Sequence, residues 1–161
     1  MSAAAVLPSW APELPEVLDR LGPDWTRIDR VPFGATVDIE HVLLSRSGLA
    51  VVTTLDAVPD TVQPISEARW RARKITALLG RVAWVPARAV LVVPRSGKLD
   101  CGPRDGVFVG QAQQAVCWLS HPAWSTPMIA PEDVGEMVDL IVRHTHRTHE
   151  ITRQYLVRAA R

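Results

Sequence analysis

The stretch VDIEHVLLSRSGLAVVTTLDA, Val37 to Ala57, decides the fold. Ser45-Arg46-Ser47-Gly48 is a polar turn in which Gly48 can take a positive φ. The runs on either side are dense in apolar and β-branched residues. Val37 to Ser45 reads as one strand and Leu49 to Leu55 as the next, antiparallel across the turn. The second run is apolar or β-branched almost throughout, so it belongs at the centre of a sheet with both faces covered.

Upstream, Trp25 to Val31 is a third strand candidate, separated from Val37 by the Gly34-Ala35-Thr36 turn. Its alternation is imperfect, which suits an edge. The three strands form an antiparallel meander. Before them, Leu14, Val17, Leu18 and Leu21 recur at helical spacing. A helix from a Ser9 cap to Leu21 is expected, with Pro12 in its first turn and Gly22-Pro23 as its stop.

Downstream, Asp56 to Pro64 reads as a loop. Ser66 is expected to cap a helix from Glu67 to Gly80, with Ala68, Ala72, Ile75 and Leu79 as its apolar stripe. That helix carries the chain over to ARAVLVVP, residues 87–94, a buried strand parallel to its neighbour. RSGKLDCGPRDG, residues 95–106, reads as a polar turn region. VFVG is a short strand, and AQQAVCWLSHP is a short helix ended by Pro122. A long helix opens at Pro131 and runs to about residue 160, with Glu132, Asp133 and Glu136 near its positive end. Val134, Met137, Val138, Ile141 and Val142 give it an apolar face that fades after Thr145. The expected class is α/β: a mixed sheet, an antiparallel meander plus a parallel crossover strand, with helices on both faces.

A chain of 161 residues is expected to make one domain, with a core over about residues 9–125 and the last helix beside it. Its net charge of +1 gives no overall pull toward nucleic acid, so any such surface must be a local patch. Cys101 and Cys117 are 16 positions apart, without the paired spacing of a zinc site, and are read as reduced thiols. The opening MSAAAVLPSW has neither a basic region nor a long apolar run, and no segment is long enough to cross a bilayer. A soluble cytoplasmic protein without membrane association is expected. Six tryptophans, at 10, 25, 70, 84, 118 and 124, are scattered through the chain. They read as aromatic core positions, with stacking on nucleobases as the alternative.

Two features carry potential chemistry. Asp38 and Glu40, two apart on a strand, share a face, and two carboxylates there can hold Mg²⁺ with several waters. Such a metal polarises a phosphoryl oxygen and helps form hydroxide. The plainer reading is a solvated strand start. Arg69, Arg71, Arg73 and Lys74 make the crossover helix basic, for phosphate contact or simply for solvent. His144, His146 and His149 lack the i, i+4 spacing of helical zinc ligands and read as solvated.

DWTRIDRVPFGATVDIEHVLLSRSGLAVVTT resembles the opening of the nuclease-related domain (NERD) family, which has the restriction-endonuclease-like PD-(D/E)XK fold. Ile39-Glu40-His41 and its apolar run stand where that family carries Ile-Asp-His. Gly48 to Val52 stands where it carries its second strand. PISEARWRARKITALL, with Pro64, Ile65, Ala68 and Ala72, is similar to its Pro-Val-x-Gln-Ala helix, and ARAVLVVP to the strand after it. The resemblance covers roughly residues 9–118. It implies a metal-dependent nuclease scaffold, but the family's central Glu-x-Lys pair falls on Thr53 and Leu55. Glu13 stands near the first-helix glutamate, Glu67 replaces the helix glutamine, and His41 is expected to orient backbone or pack. The resemblance thus implies a site that keeps Glu13, Asp38 and Glu40 and has lost its centre.

Three readings follow. The first is a degenerate nuclease-related protein with a binding or scaffolding role, DNA among its candidate partners, needing no cofactor. The second is a Mg²⁺-dependent nuclease whose carboxylates, Glu13, Asp38, Glu40 and Asp56, have rearranged. Asp56 requires a bulge to reach the face of Thr53. The third is a module that binds a protein partner, or a second copy of itself, through the C-terminal helix.

Overall fold

The structure is a computed structural model that describes residues 14–34, 37–56, 59, 61–94, 101–121 and 127–159, with side chains of the last helix described as far as Ile151. Helix α1 (Leu14–Asp19) precedes strands β1 (Thr26–Phe33), β2 (Val37–Ser45) and β3 (Gly48–Thr54). Helix α2 (Gln63–Leu79) leads to β4 (Arg88–Val92), the hairpin β5 (Gly102–Arg104) and β6 (Val107–Gly110), then α3 (Ala112–Leu119) and α4 (Pro131–Ala159).

The six strands form one mixed sheet in the order β1-β2-β3-β4-β6-β5. The first three pair antiparallel, β3 pairs parallel with β4 and β4 with β6, and β5 closes the far edge antiparallel to β6. The expected meander and crossover are therefore present, with β1 at an edge and β3 inside. Every residue of β3 before Thr54 is buried, as its unbroken apolar run requires. Gly48 opens this strand at a φ of 154°, and a Cβ there would lie 3.0 Å from the Arg88 guanidinium. Burial holds that guanidinium below its ordinary pKa.

Two apolar layers flank the sheet. Val51, Leu91 and Val109 pack with Ile65, Ile75 and Leu79 of α2 and Met137 and Ile141 of α4. On the opposite face, Ala50, Val90 and Phe108 pack with Leu14 and Leu18 of α1 and Val116 and Leu119 of α3. Helices thus cover both faces, as the pattern requires.

Several boundaries differ from expectation. Helix α2 starts at Gln63 rather than after a Ser66 cap, because Pro64 fits a first turn that needs no N–H there; the Ser66 N–H donates to Val62 O at 3.0 Å. Strand β1 continues through Pro32 to Phe33. Leu21 lies outside α1, and Ser9 and Pro12 lie outside the described residues. The supposed polar turn region contains β5, and Asp105-Gly106 turns the hairpin with φ of 49° and 78°. Positive φ at both central positions matches the twist of adjoining strands, which makes Asp-Gly a hairpin signal.

Pairing at the β1–β2 edge breaks its alternation without inserting a residue. Asp29↔His41 and Val31↔Ile39 keep one register, and between them Arg30 takes a φ of 57°. Ile28 and Val31 contribute to the same apolar layer, as do Ile39 and Val42. Strict alternation would separate each pair. The interruption falls at Glu40, the residue on which the metal reading depends.

Candidate functional site

The carboxylate of Glu40 is turned to β3. Its Oε2 accepts from Thr54 Oγ1 at 2.7 Å and its Oε1 from the Thr54 backbone N–H at 3.3 Å. The β2–β3 ladder runs only from His41↔Val52 to the turn, so Thr54 lies past its last paired residue. Glu40 supplies the acceptor that the ladder no longer provides. Glu40→Ala is expected to cost about 1–3 kcal/mol, measured by urea denaturation, because the buried part of this pair loses its acceptor. Glu40→Gln, which keeps a carbonyl oxygen, should retain most of the stability.

Thr53 lies beside Leu91 in the parallel ladder, and on strand parity it shares the α2/α4 face with Leu49 and Val51. It is only 5% exposed, and its Oγ1 has no hydrogen-bond partner among the described residues. Leu55 packs partly against the same apolar layer. Asp38 and Asp56 are exposed, and Glu13 lies outside the described residues. No group of three His, Cys, Asp or Glu able to hold a metal ion occurs among the described residues. The acids singled out by spacing are thus not gathered: Glu40 serves the strand end, while Asp38 and Asp56 face water.

His41 sits in a tie between elements. Its Nδ1 lies 2.7 Å from Asp29 Oδ1, which also forms an ion pair with Arg27, 3.2 Å from its Nε. Arg27 Nη1 in turn donates to Asp19 Oδ1 and to the Pro15 carbonyl, each at 2.7 Å. This chain fastens β2 to β1 and β1 to α1, a positioning role for His41. Asp29 was invisible as its partner because cross-strand register is not written in a single strand.

The basic residues of α2 divide by face. Arg71 is half-buried, 4.0 Å from Glu67. Arg69 and Arg73, one turn apart, line an apolar cleft of about 410 Å³ with Trp84, Pro86 and Ala87. Arg69 Nη1 donates to the Asp105 carbonyl at 3.2 Å. Lys74 holds its Nζ 5.1 Å from the Trp70 ring centre, a cation–π arrangement. A second cleft, of about 480 Å³, opens between α2 and α4, where Arg81, Arg143 and Arg147 meet Glu136 and His144. Among the described residues, none of Arg69, Arg73, Lys74, Arg81, Arg143 and Arg147 has an ion-pair partner. This second cluster was missed because Arg81 and Arg143 come together only when α4 docks.

Tryptophan and histidine expectations need correction. Trp25 and Trp118 do pack against the core, with Trp118 stacked 4.8 Å from Phe108. Trp70 and Trp84 are instead 42% and 75% exposed, and Trp10 and Trp124 lie outside the described residues. His144 is not simply solvated: its Nε2 donates to Pro32 O at 2.8 Å and its ring lies 4.7 Å from Phe33. His146 and His149 are exposed. Cys101 and Cys117 are free thiols at the surface. On α4, the exposed apolar residues Val142 and Ile151 are about 180° apart around the helix at roughly 100° per residue, so the two do not form one face. Among the described residues no helix is long and apolar enough to cross a membrane. No protein-family model matches the chain, and a comparison with curated proteins gives no match.

Proposed function

We propose that this chain is a restriction-endonuclease-like domain that no longer cleaves nucleic acid and has kept a binding role on it. The observation that carries this reading is the state of the expected centre. Thr53 is buried with no polar partner among the described residues, Leu55 packs on apolar residues, and Glu40 is committed to Thr54. A hydrated divalent cation needs several oxygen donors in octahedral array, and a threonine hydroxyl in an apolar layer does not replace a carboxylate. The family resemblance of residues 9–118 supplies the scaffold, and the mixed sheet with its crossover helix agrees with it.

The binding half of the proposal rests on arginine placement. Arg69, Arg73 and Lys74 lie on α2, Arg81 follows two residues past its end, and Arg143 and Arg147 continue the basic surface onto α4. Arginines without carboxylate partners can neutralise phosphates and release counterions. The purified protein with Mg²⁺ or Mn²⁺ is expected to leave single- and double-stranded DNA and RNA intact. Cleavage that disappears in Glu40→Ala would instead establish the rearranged Mg²⁺ nuclease. Binding should weaken steeply with salt, and no binding at low ionic strength would remove the nucleic-acid role.

A further inference from the structure

We propose that the cleft beside α2 takes single-stranded polynucleotide, with Trp84 as the platform on which one base stacks. This rests on the nucleic-acid reading above and specifies which form is bound. The starting observation is that Trp84, in the loop after α2, is 75% exposed although aromatic side chains of this size are ordinarily covered. The indole has a neighbour along one edge. Its edge lies against Gly80, where an added Cβ would come within 3.3 Å of it. The loop is also held from behind: the Ala87 N–H donates to Thr76 Oγ1 at 2.9 Å, and that hydroxyl donates to the Ala72 carbonyl. Such anchoring of the loop lowers the entropy lost when the ring takes a partner.

The cleft next to this ring has the complementary chemistry. Its walls are apolar, from Ala72, Pro86 and Ala87, and no carboxylate lines it among the described residues. Arg69 and Arg73 stand at its side, one helical turn apart. An apolar slot with an aromatic wall suits the face of a base, and two cations beside it suit the phosphates that flank that base. Arg69 is already drawn toward the β5–β6 turn by the Asp105 carbonyl, which holds its guanidinium on this side of α2. A duplex keeps its bases stacked inside, so it can meet the arginines but not the indole. The arrangement therefore discriminates strand form rather than sequence. Trp70 and Lys74 lie on the adjoining stripe of α2 and extend the same mixed aromatic and basic surface.

Fluorescence anisotropy with labelled oligo(dT), oligo(rU) and a DNA duplex of equal length tests this. The wild-type chain is expected to bind both single strands more tightly than the duplex. Trp84→Ala should weaken single-strand binding by about 5- to 160-fold, the loss of one stacked base, and leave duplex binding unchanged. Trp84→Phe should restore much of it. Arg69→Ala with Arg73→Ala should weaken all three probes and lower the salt slope by about 1.4 for single strands. A shift confined to oligo(dT) or to oligo(rU) would assign the site to that polymer. Equal affinity for duplex, with Trp84→Ala silent, overturns the stacking site and leaves the basic surface standing. Failure to bind any probe at low salt overturns both. Circular dichroism of each variant confirms that an exposed substitution has left the fold intact.

Discussion

Thr53→Glu is expected to destabilise the protein by about 3–5 kcal/mol, a loss visible as a large fall in the urea midpoint. The substitution returns the acid that the family resemblance assigns to this position, so a latent metal site would tolerate it and gain stability on adding Mg²⁺. The surroundings of Thr53 predict the opposite. It stands beside Leu91 on the face covered by α2 and α4, 5% exposed, with no polar group bonded to its hydroxyl among the described residues. A carboxylate there loses hydration and gains no compensating charge. Thr53→Val is the counterpart: it removes a buried hydroxyl without a partner at almost unchanged volume. It should be neutral or stabilising by about 1 kcal/mol. A Thr53→Glu protein as stable as wild type, and further stabilised by Mg²⁺, would contradict the degenerate reading.

Ile141→Ala should cost about 2–5 kcal/mol by the same measurement, because it opens a cavity where α4 meets the sheet. Ile141 and Met137 are fully buried on that helix, while Val134, Val138 and Leu140 are only partly covered. His144→Ala, one turn further on, removes the donor to Pro32 and the contact with Phe33 but leaves a site nearer solvent. Its cost should be smaller, about 0.5–1.5 kcal/mol. If Ile141→Ala were silent, α4 would not be part of the cooperative unit, and the basic cleft it forms with Arg81 would not be a stable surface.

Much of the fold was legible in the stretch first quoted. The polar turn at Ser45–Gly48 and the unbroken apolar run after it imply a hairpin whose second strand is interior, and β3 is interior. The hairpin β5–β6 was missed although Asp105-Gly106 announces it, since three residues with one proline make a weak strand. The site was less legible. Spacing suggested that Asp38 and Glu40 share a face, but alternation is interrupted opposite Arg30, and the Thr54 hydroxyl that donates to Glu40 comes from the neighbouring strand.

The sequence alone determined the class of the fold, because the periods of its apolar residues leave few ways to cover them. The resemblance sets Thr53 and Leu55 where a metal centre is expected; Thr53 lies in β3 and Leu55 just past its end. Tertiary structure decided what those residues do. Only strand register turns Thr53 into the layer beneath α2, and only the end of the β2–β3 ladder gives Glu40 its occupation. Docking of α4 brings Arg143 and Arg147 to Arg81, and the bond between Ala87 and Thr76 helps place exposed Trp84 beside Arg69 and Arg73. These are contacts between distant parts of the chain, set by packing rather than by any local pattern.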